Sequence, residues 1–149
     1  MTPRPAPRIV LLLPVAVFLH QLEEWFGGFV PWAREVLGFG ITPEQFLTIN
    51  AFGLLLFASG CVAAAYFPGA AWFAASVAAL MGINGVAHIA LSLVYGSYSA
   101  GAVTGLLLFI PLSFVVLRAL AKQLDRSAFV GAVLVGILIH ALATFTALG

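Results

Sequence analysis

Five apolar segments of about 20 residues limit what this chain can fold into. They cover residues 9–26, 42–65, 70–94, 101–120 and 127–148. A helix rises about 1.5 Å per residue, so each segment is long enough to cross the ~30 Å hydrocarbon layer of a bilayer. The sequence therefore predicts an all-α, polytopic membrane bundle with five transmembrane helices, in which residues 1–149 form a single transmembrane domain.

The composition supports this fold class and excludes several others. Hydrophobic residues make up 63% of the 149 residues and charged residues only 7%, which leaves no room for a soluble domain. The 6 basic and 5 acidic residues give a net charge of +1, so we expect a lipid bilayer as partner and no nucleic acid. Cys61 is the single cysteine, so no disulfide forms within the chain.

The first apolar segment is the weakest of the five. Its uninterrupted apolar part, Ile9 to Leu19, follows Arg4 and Arg8, which is also the layout of a secretory signal peptide. No small-x-small cleavage site follows Leu19, so we interpret the segment as the first transmembrane helix.

The basic residues indicate an orientation. If the helices alternate in direction, one side of the membrane holds Arg34 and the other holds Arg4, Arg8, Arg118, Lys122 and Arg126. The positive-inside rule then predicts a cytoplasmic N-terminus and an outer C-terminus, in a membrane such as the bacterial inner membrane. Within residues 27–41, Trp32 and its neighbours predict a short interfacial helix.

Polar side chains inside the apolar segments fall in one layer. Counting along the helices puts His20 roughly 16 Å, Glu23 and Glu24 roughly 21 Å, and His88 roughly 27 Å below the surface at which the first helix enters. Three further residues lie close to this level by the same count: Asn50, Asn84 and His140. The layer depends only on the alternation of the helices.

The spacing also places these groups on common helix faces. Both glutamates are within one turn of His20, and Asn84 lies one turn before His88, with Ser92 one turn after it. A charged side chain in hydrocarbon costs about 2.5–3.5 kcal/mol on insertion scales, so such groups normally face the bundle interior and have partners there.

Imidazole and carboxylate groups together favour zinc or iron(II). The predicted metal ligands are His20, Glu23, His88 and His140. The predicted catalytic residues are Glu23, Glu24, Asn84 and Ser92, with a glutamate that does not bind the metal acting as general base on bound water. Such a site suits a membrane enzyme, a hydrolase or an isomerase-like protein, that acts on a lipid-like or small apolar substrate.

Other interpretations of the same residues stay open. Glu23 and Glu24 also fit the interface at the end of the first helix, and Asn50, Asn84 and His140 also fit interhelical hydrogen bonds. A buried glutamate beside a histidine can transfer protons without any metal. A carrier or ligand-binding bundle whose polar layer only specifies packing is the alternative that is not an enzyme.

Three ordered motifs resemble one known family. They are His20-Gln21-Leu22-Glu23-Glu24, the N-x-x-x-H-x-x-x-S pattern from Asn84 to Ser92, and Tyr98-Ser99-Ala100-Gly101. Together they resemble the HXXEE domain family of small integral membrane proteins, whose function is uncharacterised, over residues 15–120. Ala100 stands where the family pattern has proline. The resemblance implies that the site residues are His20, Glu23, Glu24, Asn84, His88 and Ser92.

Small residues predict close helix packing around this layer. Gly101 and Gly105 form a G-x-x-x-G pattern, and Gly82 and Gly85 flank Asn84. We expect the first, third and fifth predicted helices to line a pocket and the second and fourth to close it.

Overall fold

The computed structural model describes residues 4–147, and all regular secondary structure in that range is helical. Five helices among these residues are long and apolar enough to cross a membrane. They are α1 (Leu12–Phe26), which reaches spanning length together with the preceding turn Arg8–Leu11, α3 (Pro43–Tyr66), α4 (Ala71–Tyr95), α5 (Ala102–Leu120) and α6 (Arg126–Ala147). The short helix α2 (Phe29–Leu37) links α1 to α3, and a 3₁₀ turn, Arg8–Leu11, extends α1 at its N-terminal end.

Each of the five predicted segments coincides with one of the long helices, and α2 occupies the place of the predicted interfacial helix. The last residue predicted for the fifth helix, Leu148, lies outside the described residues, as do residues 1–3 and 149.

Local sequence signals account for the helix ends. The Thr42 side chain accepts a hydrogen bond from the Gln45 amide, and the Gln45 side chain bonds back to the Thr42 amide, so a capping box starts α3. Pro43 occupies the first turn of α3, where its missing donor is not needed. Gly96 ends α4 with a φ of 60°, a left-handed conformation that glycine adopts without strain.

Helix α4 is the central element of the bundle, packing against α3, α5 and α6. Its alanine-rich half presents little side-chain bulk, so neighbouring helices approach closely. Gly85 on α4 faces Gly105 on α5 so tightly that a Cβ atom on Gly85 would lie 3.0 Å from the Gly105 carbonyl oxygen. Much of the core lies in the half of the bundle away from α2 and includes Val10, Leu13, Met81, Val116 and Leu120.

The other end of the bundle is covered by α2 and the segment that follows it. The Gly40 amide donates a hydrogen bond to the Ala147 carbonyl over 3.1 Å, which ties this segment to the end of α6. Val30 and Ile41 are buried there against Phe46 of α3. The 38–41 segment thus connects the N-terminal end of α3 with the C-terminal end of α6.

Candidate metal centre

Three buried polar side chains converge between α1 and α4. His20 and Glu24 come from α1 and His88 from α4, and they are 3%, 6% and 3% exposed. The Glu24 Oε1 atom lies 3.6 Å from His20 Nε2 and 3.3 Å from His88 Nε2. One ligand atom from each residue lies within 4.8 Å of the other two, so the three side chains are close enough to hold one metal ion. We call these three residues the His–Glu–His cluster.

Hydroxyl groups hold the far side of both imidazoles. His20 Nδ1 lies 2.7 Å from Thr104 Oγ1, and His88 Nδ1 lies 3.0 Å from Ser99 Oγ. The Thr104 hydroxyl donates to the Gly101 carbonyl over 3.5 Å, so its oxygen can accept a hydrogen bond from a proton on His20 Nδ1. With protons on both Nδ1 atoms, the Nε2 lone pairs face Glu24, and this is the arrangement that partners of metal-binding histidines enforce.

Aromatic rings surround the cluster. Phe109 stacks on the His20 ring with the ring centres 4.2 Å apart, and Phe29 lies 5.2 Å from the His88 ring. Phe109 belongs to a π-helical stretch of α5, Gly105–Phe109, and such stretches are frequent at functional sites. The rings keep the environment of the imidazoles apolar, which strengthens electrostatic interactions among the buried groups.

The turn between α4 and α5 is pressed against both imidazoles. Gly101 has a φ of 109°, and a Cβ atom there would lie 2.8 Å from Cε1 of both His20 and His88. Ala100, which is also buried, lies against Gly27 at the end of α1, where a Cβ would come within 2.6 Å of the Ala100 Cβ. Glycines at both contacts therefore let the turn approach the cluster.

Glu23 points away from the cluster and towards this turn. Its Oε1 accepts hydrogen bonds from the Tyr98 hydroxyl, the Gly101 amide at 2.9 Å and the Val103 amide at 3.0 Å. Its Oε2 accepts from the Thr104 amide at 2.7 Å. These amides belong to the first turn of α5, which has no intrahelical partner for them, so Glu23 caps α5 from another helix.

Tyr98 is the hydroxyl donor in that cap. Burial, together with its hydrogen bond to the Glu23 carboxylate, raises the pKa of Tyr98 to about 12. A phenol is already protonated at neutral pH, so the raised pKa only extends to more alkaline pH the range in which Tyr98 donates.

Ser92 also forms hydrogen bonds that hold this turn. Its hydroxyl donates to the His88 carbonyl over 2.8 Å and accepts from the Ser99 amide over 3.0 Å. Ser92 thus places Ser99, and Ser99 in turn bonds to the His88 ring.

A cavity of about 590 Å³ opens beside the cluster. Glu24 and both histidines of the cluster form part of its wall. Three other polar residues of the predicted layer also line it: Asn50, Asn84 and His140. His140 is half-buried on α6 and is not among the residues whose ligand atoms converge.

The structure thus brings together only part of the predicted ligand set. It unites His20 and His88, adds Glu24 in place of Glu23, and leaves His140 across the cavity. Glu23 and Ser92 lie outside the cluster, with their polar atoms in the hydrogen bonds described above. Helix α5, expected only to close the pocket, supplies Thr104 and Phe109, which contact the His20 ring.

Sequence reasoning missed Ser99 and Thr104 as partners of the imidazoles. Ser99 lies within the Tyr98–Gly101 element, whose presence beside the two histidine motifs was the available signal. Thr104 carried no signal of its own, because a threonine near the start of an apolar helix is common.

The fold and the cluster define an all-helical protein with five helices suited to span a membrane and a buried group of two histidines and a glutamate that fits a metal ion. Comparison with protein families identifies the family of the chain. A family described as "Protein of unknown function with HXXEE motif" matches residues 11–116, so the chain belongs to this family, as its motifs suggested. No curated protein and no solved structure gives a significant match.

The cap on α5 predicts a stability effect for Glu23. Glu23→Gln replaces one carboxylate oxygen by an NH₂ group that cannot accept hydrogen bonds from α5, and it turns the other oxygen into that of a neutral amide. Hydrogen bonds to charged groups contribute about 1.5–3 kcal/mol, so we expect a fall of roughly 4–8 °C in the midpoint of thermal unfolding in detergent. Glu35→Gln on the exposed face of α2 is the matched control and should leave the midpoint unchanged. Equal midpoints for the two variants would show that the cap contributes nothing.

Two glycines with positive φ separate backbone strain from contact with the cluster. Gly96→Ala meets no atom within 4 Å and should lose only about 1–2 kcal/mol through its left-handed backbone. Gly101→Ala adds a methyl group against both imidazoles, so it should lower the thermal midpoint clearly further. If the two variants unfold at the same temperature, the turn does not press on the histidines as described.

Proposed function

We propose that this protein is a metal-dependent integral membrane enzyme that acts on a lipid-like or small apolar substrate. The observation that carries the proposal is that Glu24 Oε1 lies 3.6 Å from His20 Nε2 and 3.3 Å from His88 Nε2, in a group of three residues close enough to share one ion beside the cavity. The five long helices form the membrane domain in this proposal, and the cluster lies among them.

The donor set fits zinc or iron(II). Two imidazoles and one carboxylate are the three protein ligands of several catalytic zinc sites and of non-haem iron sites, which keep further positions open for water or substrate. The buried His20 Nε2 atom has no hydrogen-bond partner. An orphaned buried nitrogen is unfavourable, and a metal ion would remove that penalty while keeping Glu24 ionised.

A metal bound there would supply Lewis acidity and an activated water molecule at neutral pH. The chain's own residues have separate tasks in this proposal. Thr104 and Ser99 fix the tautomers and the orientation of the two imidazoles. Asn84 orients the substrate at the cavity wall. Glu23 and Ser92 position the turn that carries Ser99, since their polar atoms are engaged there.

A second candidate uses the same residues without a metal. The 3.3 Å separation between Glu24 and His88 also suits direct proton transfer between a carboxyl group and an imidazole. An isomerase-like reaction on an apolar substrate would need only such an acid–base pair. The separation of 3.6 Å at His20 is longer than a hydrogen bond, and this favours the metal-dependent proposal.

We further propose that the chain lies in the membrane with its N-terminus in the cytoplasm and its C-terminus outside, as in a bacterial inner membrane. The Ala6 amide bonds to the Ala64 carbonyl, so the arginine-containing N-terminal segment lies beside the end of α3. The basic residues of the α5–α6 connection belong to the same end if the helices alternate, and the positive-inside rule makes this the cytoplasmic side.

Metal content tests the main proposal. Protein purified in detergent and loaded with zinc or iron(II) should hold about one ion per chain by elemental analysis. His20→Ala, Glu24→Gln and His88→Ala should each weaken metal binding at least tenfold, because the histidine variants remove an imidazole ligand and Glu24→Gln replaces the anionic ligand by a neutral amide. His140→Ala is the matched control, since His140 lines the cavity without joining the cluster, and it should retain the metal. All four variants should first elute as folded protein in size-exclusion chromatography.

If His140→Ala lost the metal, His140 would have to be counted among the metal ligands, as the sequence predicted. A wild-type protein that binds no metal would leave the acid–base reaction as the surviving enzymatic candidate.

Reporter fusions test the orientation. Alkaline phosphatase folds only outside the bacterial cytoplasm, so we expect it to be active when fused after α6 and inactive when fused after Leu120 at the end of α5. The reverse pattern would place the basic end outside.

A further inference from the structure

The cavity beside the cluster has the size and lining of a site for one apolar molecule. Its volume of about 590 Å³ falls within the roughly 300–1,000 Å³ range of small-molecule sites. Its wall is mostly apolar and includes Phe29, Phe46, Phe57, Ile49 and Leu80. Such a lining favours a hydrocarbon part over a charged or highly hydrated ligand.

The end of the cavity near α2 is covered. Phe39 and Ile41 line it there, and the hydrogen bond from Gly40 to Ala147 joins the covering segment to α6. Ile41 is 6% exposed and Phe46 beneath it 4% exposed. A ligand that came from water would have to displace this apolar cover.

The side of the cavity between α3 and α6 is less tightly packed. Both helices pack extensively against α4, whereas they make few or no contacts with each other. Phe52 and Gly53 of α3 and Ile139 and Ala143 of α6 form the opposing walls. Phe52 is 70% exposed on the lateral surface, which faces lipid if the five long helices span the membrane.

Besides His20 Nε2 of the cluster, a second residue of the cavity wall has an unpaired polar atom. The Asn84 Oδ1 atom is buried and has no hydrogen-bond partner, and Asn84 lies one turn before His88 on α4. Two side-chain NH₂ groups that also line the cavity have other acceptors. Gln21 Nε2 donates to the backbone carbonyl of Asn50, and Asn50 Nδ2 donates to the backbone carbonyl of Phe46. An unpaired buried acceptor in a ligand cavity is a ready partner for a ligand's hydrogen-bond donor.

We propose that the substrate is a single-chain amphiphile that enters sideways from the bilayer between α3 and α6 and carries a hydroxyl or amide donor to Asn84 Oδ1. Its hydrocarbon chain lies in the cavity, and its polar head lies next to Glu24 and His88. The inference rests on the proposed function for the identity of the reacting group, while binding itself needs no metal.

Photolabelling in phosphatidylcholine vesicles tests this proposal. The probes are hexadecan-1-ol with a diazirine in its chain and the methyl ether of the same molecule, which lacks the donor. We expect the alcohol to label residues of the cavity wall about tenfold more than the ether does, since one buried hydrogen bond of about 1.4 kcal/mol gives that ratio. Unlabelled hexadecan-1-ol should compete.

Two variants locate the site. Asn84→Leu keeps the side-chain size and removes the acceptor, so it should lower labelling by the alcohol to the level of the ether. Gly53→Trp adds a large ring on the α3 wall, where a Cβ meets only Phe57 at 4.0 Å, and should reduce labelling by both probes. Gly131→Trp, on α6 away from the cavity with open space around it, is the matched control and should label as wild type.

Equal labelling by the two probes would overturn the assignment of Asn84, and undiminished labelling of Gly53→Trp would overturn lateral entry. Metal content, measured on the same samples, separates this inference from the proposed function. Asn84→Leu and Gly53→Trp should retain the metal of the wild type. Selective labelling in a protein without metal would support the amphiphile site and refute the metal centre. Metal binding without labelling of the cavity would support the metal centre and refute the amphiphile site.

Discussion

The arrangement of the site depends on the carboxylate of Glu23 and the amides at the start of α5. A helix that starts inside an apolar bundle leaves its first amides without partners, and no side chain of the turn before α5 caps it. Glu23 supplies the missing acceptor from α1 and also accepts from Tyr98. This single side chain joins α1, the turn and α5, and it fixes the turn that contacts both imidazoles.

Small residues make that arrangement sterically possible. Gly27 gives room to Ala100, Gly101 gives room to His20 and His88, and Gly85 lets α5 approach α4. With the backbones this close, the hydroxyls of Ser99 and Thr104 reach the Nδ1 atoms without water. The histidines are therefore held in one orientation before any ligand arrives, which reduces the free energy needed to organise a site on binding.

Much of the candidate site could be predicted from helical geometry. His20 and His88 were expected in one polar layer on interior faces, and they do meet at Glu24, because depth follows from residue number and hydrophobic boundaries fix where each helix starts. Asn50 and His140, predicted on depth alone, line the cavity but do not join the cluster. Depth fixes one coordinate, whereas a metal site also requires the rotation of each helix about its axis. The hydroxyl partners were missed because they depend on a turn whose path depends on Glu23.

The sequence by itself determined the helical class, the five apolar helices, the polar layer and the membership of the HXXEE family. Only the tertiary structure decided which of two adjacent glutamates faces the histidines. Glu23 and Glu24 differ by roughly 100° around α1, and both lie within one turn of His20, so spacing cannot separate them. Packing of α1 between α4 and the start of α5 turns Glu24 towards His88 and Glu23 towards the free amides of α5.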